Sequence, residues 1–576
     1  MVSKYWGVRL SSLATATVCM ALSFALLAPE ARGAGLLSPC RTGSGSTRPA
    51  DIYLPMDSWV YPALDRLRGL GHLDTAYLGL RPWTRRSVQR MLEETAQEEG
   101  IQNNPQAMEI LASLKREFGT ESEDFDGLSY SCEGIYTRLQ GISGLTLRDS
   151  FHLGQTLVND YGRPYQSGFN TVDGFSGSAS YGRFSLYARG EFQHAPSAAG
   201  YSPNLVAQLS SDDNIPLASN PVQATIPAGP IAATNVFRLL EANLSFRAMN
   251  HQISIGKSDH WFAPTVGGAF TYSNNAENIY AFQVDRTEPL FIPLLSRLTG
   301  PFRYGFFVGS LKGHTDPNDP WMHVEKINFK PTPNIEFGFE RSTIWGGQGH
   351  EPVNLKSFLR SFFSFQNVPV EQKFTPQDPG ARFGSFDFNW RLPWLDHWLT
   401  LYTDTLVHDD MSAVDAPRHA GLRPGLYLSR IPGVPRLDLR FEGVTTDPEL
   451  SRSVNGGYLY QEGVQLQGYT NKGNIMGDAI GREGKGGQAW LTYHLSPSEM
   501  VQASYRHSKN AMDFIPEGTT QNNFDLRVVK RIHRDWELSG ELQHEWWKAP
   551  IYQPSEQSDT VATFQLTLHP ERRPTL

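Results

Sequence analysis

The chain has 576 residues and a formal charge of −8, so it lacks the basic excess that a nucleic-acid partner would require. A mean hydropathy of −0.39 excludes a polytopic helical membrane protein. The 52 Gly and 38 Pro are scattered without period, which excludes a collagen-like chain.

Residues 1–33 read as a signal peptide. Lys4 and Arg9 give a positive start, and Leu13 to Ala28 is mostly apolar. That run falls short of the roughly 20 residues a helical span needs. Ala31-Arg32-Gly33 then supplies a small-x-small cleavage pattern. Cys19 leaves with this segment. Cys40 and Cys132 remain, and in an oxidising compartment they are expected to pair, tying the N-terminus to the start of the barrel described below.

Residues 34–125 form an N-terminal segment with a predicted helical bundle. Asp57 is placed to cap a helix ending at Gly71, Thr84 one ending at Gly100, and Asn104-Pro105 one ending at Gly119. None is long or apolar enough to span a bilayer. Trp59, Leu64, Leu67 and Trp83 are expected to pack within the bundle or against a barrel rim.

From about residue 130 the period changes to two. In Asp535–Trp547 one face is Trp536, Leu538, Gly540, Leu542, His544 and Trp546; the other is Glu537, Ser539, Glu541, Gln543 and Glu545. Carboxylates opposite Leu and Trp suit a strand with lipid outside and water inside, and Trp546-Trp547 would lie in an aromatic girdle. The same alternation recurs around Phe184, Leu437, Phe386 and Phe564, and on both sides of a turn at Pro331–Asn334. The inward Glu537, Glu541 and Glu545 are expected to pair with arginines such as Arg183, Arg189, Arg436 and Arg440. An open sheet edge in lipid would leave backbone groups unpaired, so residues 126–576 are predicted to close into a barrel of about 18 strands. Residues 195–233 and 345–380 read as surface loops, the second with a short helix at NLKSFLRSFFSF.

Several stretches carry a resemblance: PMDSWVYPALDRLRGLG and LGLRPWTR, RDSFHLGQTLVNDYGRPYQSGFN, GKSDHWFAPTVGGAFTYSNNAENIYAFQVDRTEP, and GPFRYGFFVGSLKGHTDP with the later IEFGFERSTIWGGQG and SFLRSFF. Over nearly all of the chain beyond the signal peptide, the sequence resembles the Wzi-type capsule assembly proteins. The resemblance implies an outer-membrane β-barrel with a periplasmic helical bundle and a lectin-like role in holding capsular polysaccharide at the cell surface; on that side the bundle is expected to obstruct the inner mouth. A saccharide porin or polysaccharide export channel is the alternative, distinguished by whether the lumen is open. The functional unit is expected to be a monomer seated in outer-membrane lipid.

No G-x-S-x-G elbow, H-E-x-x-H motif or P-loop is present, so neither catalysis nor a cofactor or metal is expected. Sugar binding has its own signature: pyranose C–H faces stack on aromatic rings, and hydroxyls pair with polar side chains. Three stretches mix these types and nominate Trp261, Tyr272, Asn274, Asn275, Trp345 and Tyr458 as contacts. The alternative for Trp261 and Tyr272 is girdle or lumen packing, and for Gly346-Gly347 beside Trp345 a simple bend.

Overall fold

The computed structural model describes residues 49–119, 128–217, 223–366, 368–395, 397–409, 419–448, 458–532 and 535–569. The signal-peptide reading and Cys40 lie outside them. Cys132 lies on the first barrel strand, close to its start.

Among the described residues, eighteen strands form one antiparallel sheet. They are β1 (Leu128–Gly144), β2 (Gly168–Tyr181), β3 (Phe184–Ala195), β4 (Thr234–Ala248), β5 (His251–Lys257), β6 (Tyr280–Arg286), β7 (Phe302–Ser310), β8 (Trp321–Thr332) and β9 (Ile335–Trp345). The second half comprises β10 (Ala381–Arg391), β11 (Leu399–His408), β12 (Gly421–Leu428), β13 (Leu437–Thr445), β14 (Gly484–Ser496), β15 (Glu499–Asn510), β16 (Thr519–Arg531), β17 (Trp536–Ala549) and β18 (Gln553–Leu568). Each pairs with its neighbour in sequence. β1 pairs with both β2 and β18, in the register Ile135 opposite Leu568, which closes the ring.

The two ends of the barrel differ. At one end the hairpins are mostly short, 287–301 being the longest connection there; the β4–β5 turn is Met249-Asn250, both with positive φ (48° and 60°), the type I′ geometry that matches strand twist. The other end carries the long connections 145–167, 196–233, 258–279, 346–380 and 446–483. Short turns face the periplasm and long loops the outside in barrels of this type, so the tight end is the inner one. Loop 196–233 contains a helix absent from the sequence reading, α4 (Pro203–Asp212), and loop 346–380 contains α5 (Leu355–Phe362) at the expected place.

Alternation appears directly as burial. On β17, Leu542 and His544 are exposed while Gln543 and Glu545 are buried. Trp547 departs from the girdle reading. It faces inward with 1% exposure and donates Nε1–H to the Leu145 carbonyl at 3.1 Å.

The N-terminal helices are α1 (Val60–Gly69), α2 (Arg85–Thr95) and α3 (Pro105–Phe118). Thr84 and Asn104 cap α2 and α3, accepting from Ser87 N–H at 3.1 Å and Ala107 N–H at 3.2 Å. Asp57 does not cap α1. Two charge-assisted bonds from Arg189 on β3, at 3.0 and 2.7 Å, draw it to the barrel wall. Leu64, Leu67 and Trp83 are fully buried in the bundle core, each contributing about 2 kcal/mol. Trp59 is partly buried beneath the Arg531 guanidinium, 5.2 Å from the ring centre.

The segment ahead of β1 enters the inner mouth. Glu336 on β9 accepts from Leu78 and Gly79 N–H at 2.9 and 3.0 Å, Lys330 on β8 donates to the Ala76 carbonyl at 2.9 Å, and Ser429 donates to the Gly69 carbonyl at 2.6 Å. Of the expected inward arginines, Arg189 pairs with Asp57 and Arg440 lies 3.6 Å from Asp65, because the inserted segment brings carboxylates closer than the far wall does. Arg436 meets Glu109 at 3.1 Å on the exposed rim, and Arg183 is exposed in the β2–β3 turn, so neither joins an interior network. Glu545 instead faces Arg506 at 3.9 Å and Glu537 faces Arg531 at 3.2 Å.

From the outer end, loops 258–279 and 458–483 fold inward. Phe262, Phe270, Tyr272, Tyr460, Tyr469 and Met476 pack against the inward Phe307, Met322, Val324, Ile344, Phe383 and Leu406. The outer half of the lumen is therefore filled, by an apolar cluster bordered by buried charges such as Arg423, which donates to Asp478 at 2.6 Å. The obstruction is two-sided, and the two fillings meet where Arg81 and Trp261 exchange backbone hydrogen bonds at 3.2 and 3.1 Å.

Candidate functional site

Three loops converge at the outer end: 145–167, 258–279 and the part of 446–483 beyond residue 457. The first begins with a two-stranded ribbon pairing Arg148 with Gln155. The third ends in another, Thr470–Asn471 against Asn474–Ile475, turning through Lys472-Gly473 with φ of 51° and 84°. Gln155 Nε2 donates to Asn474 Oδ1 at 3.2 Å, Asn275 Nδ2 to the Ile475 carbonyl at 3.0 Å, and Asn159 N–H to Asn275 Oδ1 at 3.1 Å.

Between them lies a cleft of about 120 Å³ lined by Arg148, Gln155, Leu157, Asp160, Gly162, Arg163, Pro164, Tyr165, Asn275 and Asn474. Arg163 is part of the frame. It holds Glu191 at 2.9 and 2.6 Å and Asp160 at 2.5 Å. Burial pushes the Asp160 carboxyl up, but Arg163 and Arg138 outweigh it and hold it below its ordinary range. Tyr165 is also committed, donating its hydroxyl to the Leu147 carbonyl at 2.6 Å. Arg148 is different. It is half-buried, and among the described residues no carboxylate lies within ion-pair distance. Asn474 keeps its Nδ2 donor beside Gly162 at the cleft wall.

A buried charge chain stiffens the first loop. His152 lies between Asp149 at 2.9 Å and Asp213 at 2.6 Å, and Asp213 accepts from Arg482 at 2.7 Å. Burial alone would lower the imidazole; the two carboxylates outweigh it and raise it to about 9. Burial likewise pushes Asp213 up, and Arg482 and His152 hold it at about 2.

The six nominated contacts do not form one cluster. Asn275 lines the cleft. Asn274, beneath it, donates to the Tyr161 hydroxyl at 3.0 Å. Trp261 is buried deep in the lumen, its Nε1–H given to the Thr265 carbonyl at 2.8 Å. Tyr272 lies in the apolar core, its ring 5.3 Å from those of His260 and Phe307. Tyr458 packs against the same core, its carbonyl accepting from His408. Trp345 is on the outside of the wall under α5, its Nε1 3.4 Å from Ser357 Oγ.

Arg148, Gln155 and Asn474 went unnominated. Arg148 and Gln155 sit in RDSFHLGQTLVNDYGRPYQSGFN and Asn474 closes NGGYLYQEGVQLQGYTNKGN, where two-residue alternation breaks into polar residues and glycine; that break was the available signal. Among the described residues no group of three His, Cys, Asp or Glu is arranged to hold a metal ion.

The sequence profile of the capsule assembly protein Wzi matches residues 138–562. A search of curated proteins finds no match. Among solved structures, Wzi of Escherichia coli, described as an outer-membrane carbohydrate-binding β-barrel involved in group 1 capsule assembly, superposes with a TM-score of 0.63 at 15% identity, over 90% of this chain and 99% of that one. OpdK of Pseudomonas aeruginosa, solved with vanillate, aligns at 0.41 and 14% identity over 77% of this chain and 99% of its own. OccAB2 of Acinetobacter baumannii aligns at 0.41 and 9%, over 78% and 99%.

Proposed function

Since the chain belongs to the Wzi capsule assembly family, we propose that it holds capsular polysaccharide at the outer face of the outer membrane, with the cleft at Arg148 as the sugar-binding site. The observation that carries this reading is a polar cleft at the outer end above a lumen packed from both sides. A cleft with uncommitted donors suits a polymer segment lying across the surface, whereas a packed lumen does not suit passage. The residues favour binding over catalysis, since the carboxylate in the cleft, Asp160, is fixed by two arginines. Arg148, without a carboxylate of its own, favours a polymer bearing anionic groups such as uronates. Asn275 and Asn474 would pair with sugar hydroxyls, and Trp261, Tyr272 and Trp345 serve packing. The barrel acts as a monomer whose outward face is covered by lipid.

The test uses purified full-length protein against immobilised capsular polymer from the source cells, with polygalacturonate oligomers and dextran as probes of charge. Arg148→Ala should weaken binding about tenfold or more, the worth of one charged hydrogen bond, and Asn474→Ala about fivefold. Polygalacturonate should compete and dextran should not. Unchanged binding in both variants would remove the cleft from consideration.

A further inference from the structure

Helix α5 lies on the outside of the barrel. On β8 the inward side chains are Met322, Val324, Lys326 and Asn328, all buried. The outward ones, from the outer end downward, are Trp321, His323, Glu325, Ile327 and Phe329, and those of β9 are Trp345, Thr343, Arg341, Phe339 and Phe337. The lower part of this wall is an ordinary lipid-facing surface, with Ile327 39% and Phe339 48% exposed. The upper part is polar, which hydrocarbon would not tolerate bare.

That polar patch is roofed by α5. His323 pairs with Ser361 Oγ at 2.8 Å and with Glu325 at 2.6 Å. Arg341 reaches Glu325 at 3.2 Å and the Ser364 carbonyl at 3.4 Å. Arg382, outward on β10, donates to the Gln366 carbonyl at 2.6 Å. Phe358 and Phe362 pack on Phe306 of the wall. A reciprocal cap between Asn354 and Ser357, both bonds 3.0 Å, fixes the first turn.

The helix is thus inverted relative to a soluble one. It buries Ser357 and Ser361 and turns Leu355 (72% exposed), Leu359 (43%) and Phe363 (63%) away from the protein, followed by Phe365 (62%). In water this contiguous apolar face would be costly. Here it is continuous with the lipid-facing band below it.

We propose that α5 is an interfacial helix of the outer leaflet, with Leu355, Leu359, Phe363 and Phe365 among the acyl chains and the serine face sealing His323, Glu325, Arg341 and Arg382 from lipid. A helix lying in the membrane plane with its apolar side down is the general form of such an element. Its occupant is lipid rather than a second protein, because the face continues the barrel's own lipid surface without a break in chemistry.

Nitroxide labels test this in full-length protein with Cys40 and Cys132 changed to Ser, reconstituted in phosphatidylcholine–phosphatidylglycerol vesicles, folding being checked by heat-modifiable gel mobility. Labels are placed by Leu359→Cys and, separately, Phe363→Cys. Leu542→Cys on the barrel wall and Ser555→Cys near the outer tip are the references. Collisional relaxation by oxygen, enriched in acyl chains, should dominate at 359 and 363 as at 542. A water-confined nickel chelate should dominate at 555. Chelate-dominated relaxation at both α5 positions would overturn the proposal by placing the helix in water. Protection from both relaxants would overturn it by placing a protein partner there.

Discussion

At the scale of single residues, the buried chain Asp149–His152–Asp213–Arg482 makes the outer loops sensitive to pH. An imidazole raised from 6.5 to about 9 favours the folded state by about 3 kcal/mol while protonated. This contribution is complete below pH 6.5, falls as pH rises, and is gone above about 9. Asp213 has the opposite sign: its contribution is present above its ordinary pKa near 4 and is lost as pH falls towards 2. Protease cleavage within loops 145–167 and 196–233 should therefore accelerate between pH 6.5 and 9. His152→Gln should cleave rapidly throughout that range with little remaining pH dependence. A variant with the same pH profile as the parent would exclude His152 as the titrating group. Arg148 belongs to this scale too. It differs from Arg163 only in what lies near it, so composition could not rank the two.

At the scale of elements, the strand register is directly testable. Leu542 faces lipid midway along β17, between Leu526 and Ala562 on its neighbours. Leu542→Arg should cost about 2–4 kcal/mol near the bilayer midplane. Glu541 faces inward opposite Arg527, so the neutral Glu541→Gln is the fair comparison and should cost about 1 kcal/mol or less. Urea unfolding followed by gel mobility would measure both, and equal costs would contradict the facing. The strands were legible because lipid imposes a strict two-residue period. The caps at Thr84 and Asn104 were legible because capping is local. Asp57 and Trp547 were not, since each answers to a partner far away in sequence: Arg189 for one, the Leu145 carbonyl for the other. Inward apolar residues such as Met322 and Val324 gave no warning of a lumen core, because alternation records that two faces differ and not what each one meets. The site was legible as polar stretches but not as a cleft, which exists only where three loops meet.

At the scale of the molecule, plugging from both ends makes a conductance prediction. Intact protein in a planar bilayer should pass little current. Deleting 57–119 removes the inner filling but leaves loops 258–279 and 458–483 in place, so conductance should rise only slightly. Replacing both 262–276 and 458–480 by short Gly-Ser linkers in the same deletion should give a porin-like pore. A large, stable pore from the intact chain would contradict the packed lumen and move the saccharide-channel reading ahead.

The closure of β1 on β18 also sets an order in time. β1 is the first strand made, and β2 satisfies one of its edges at once. The other edge waits for β18, with almost the whole barrel still to be synthesised between Ile135 and Leu568. Until then its N–H and C=O groups are an open template for any passing strand. The seam at β1 and β18 joins the two ends of the barrel sequence, so it carries the largest chain-closure cost of any pairing in the wall.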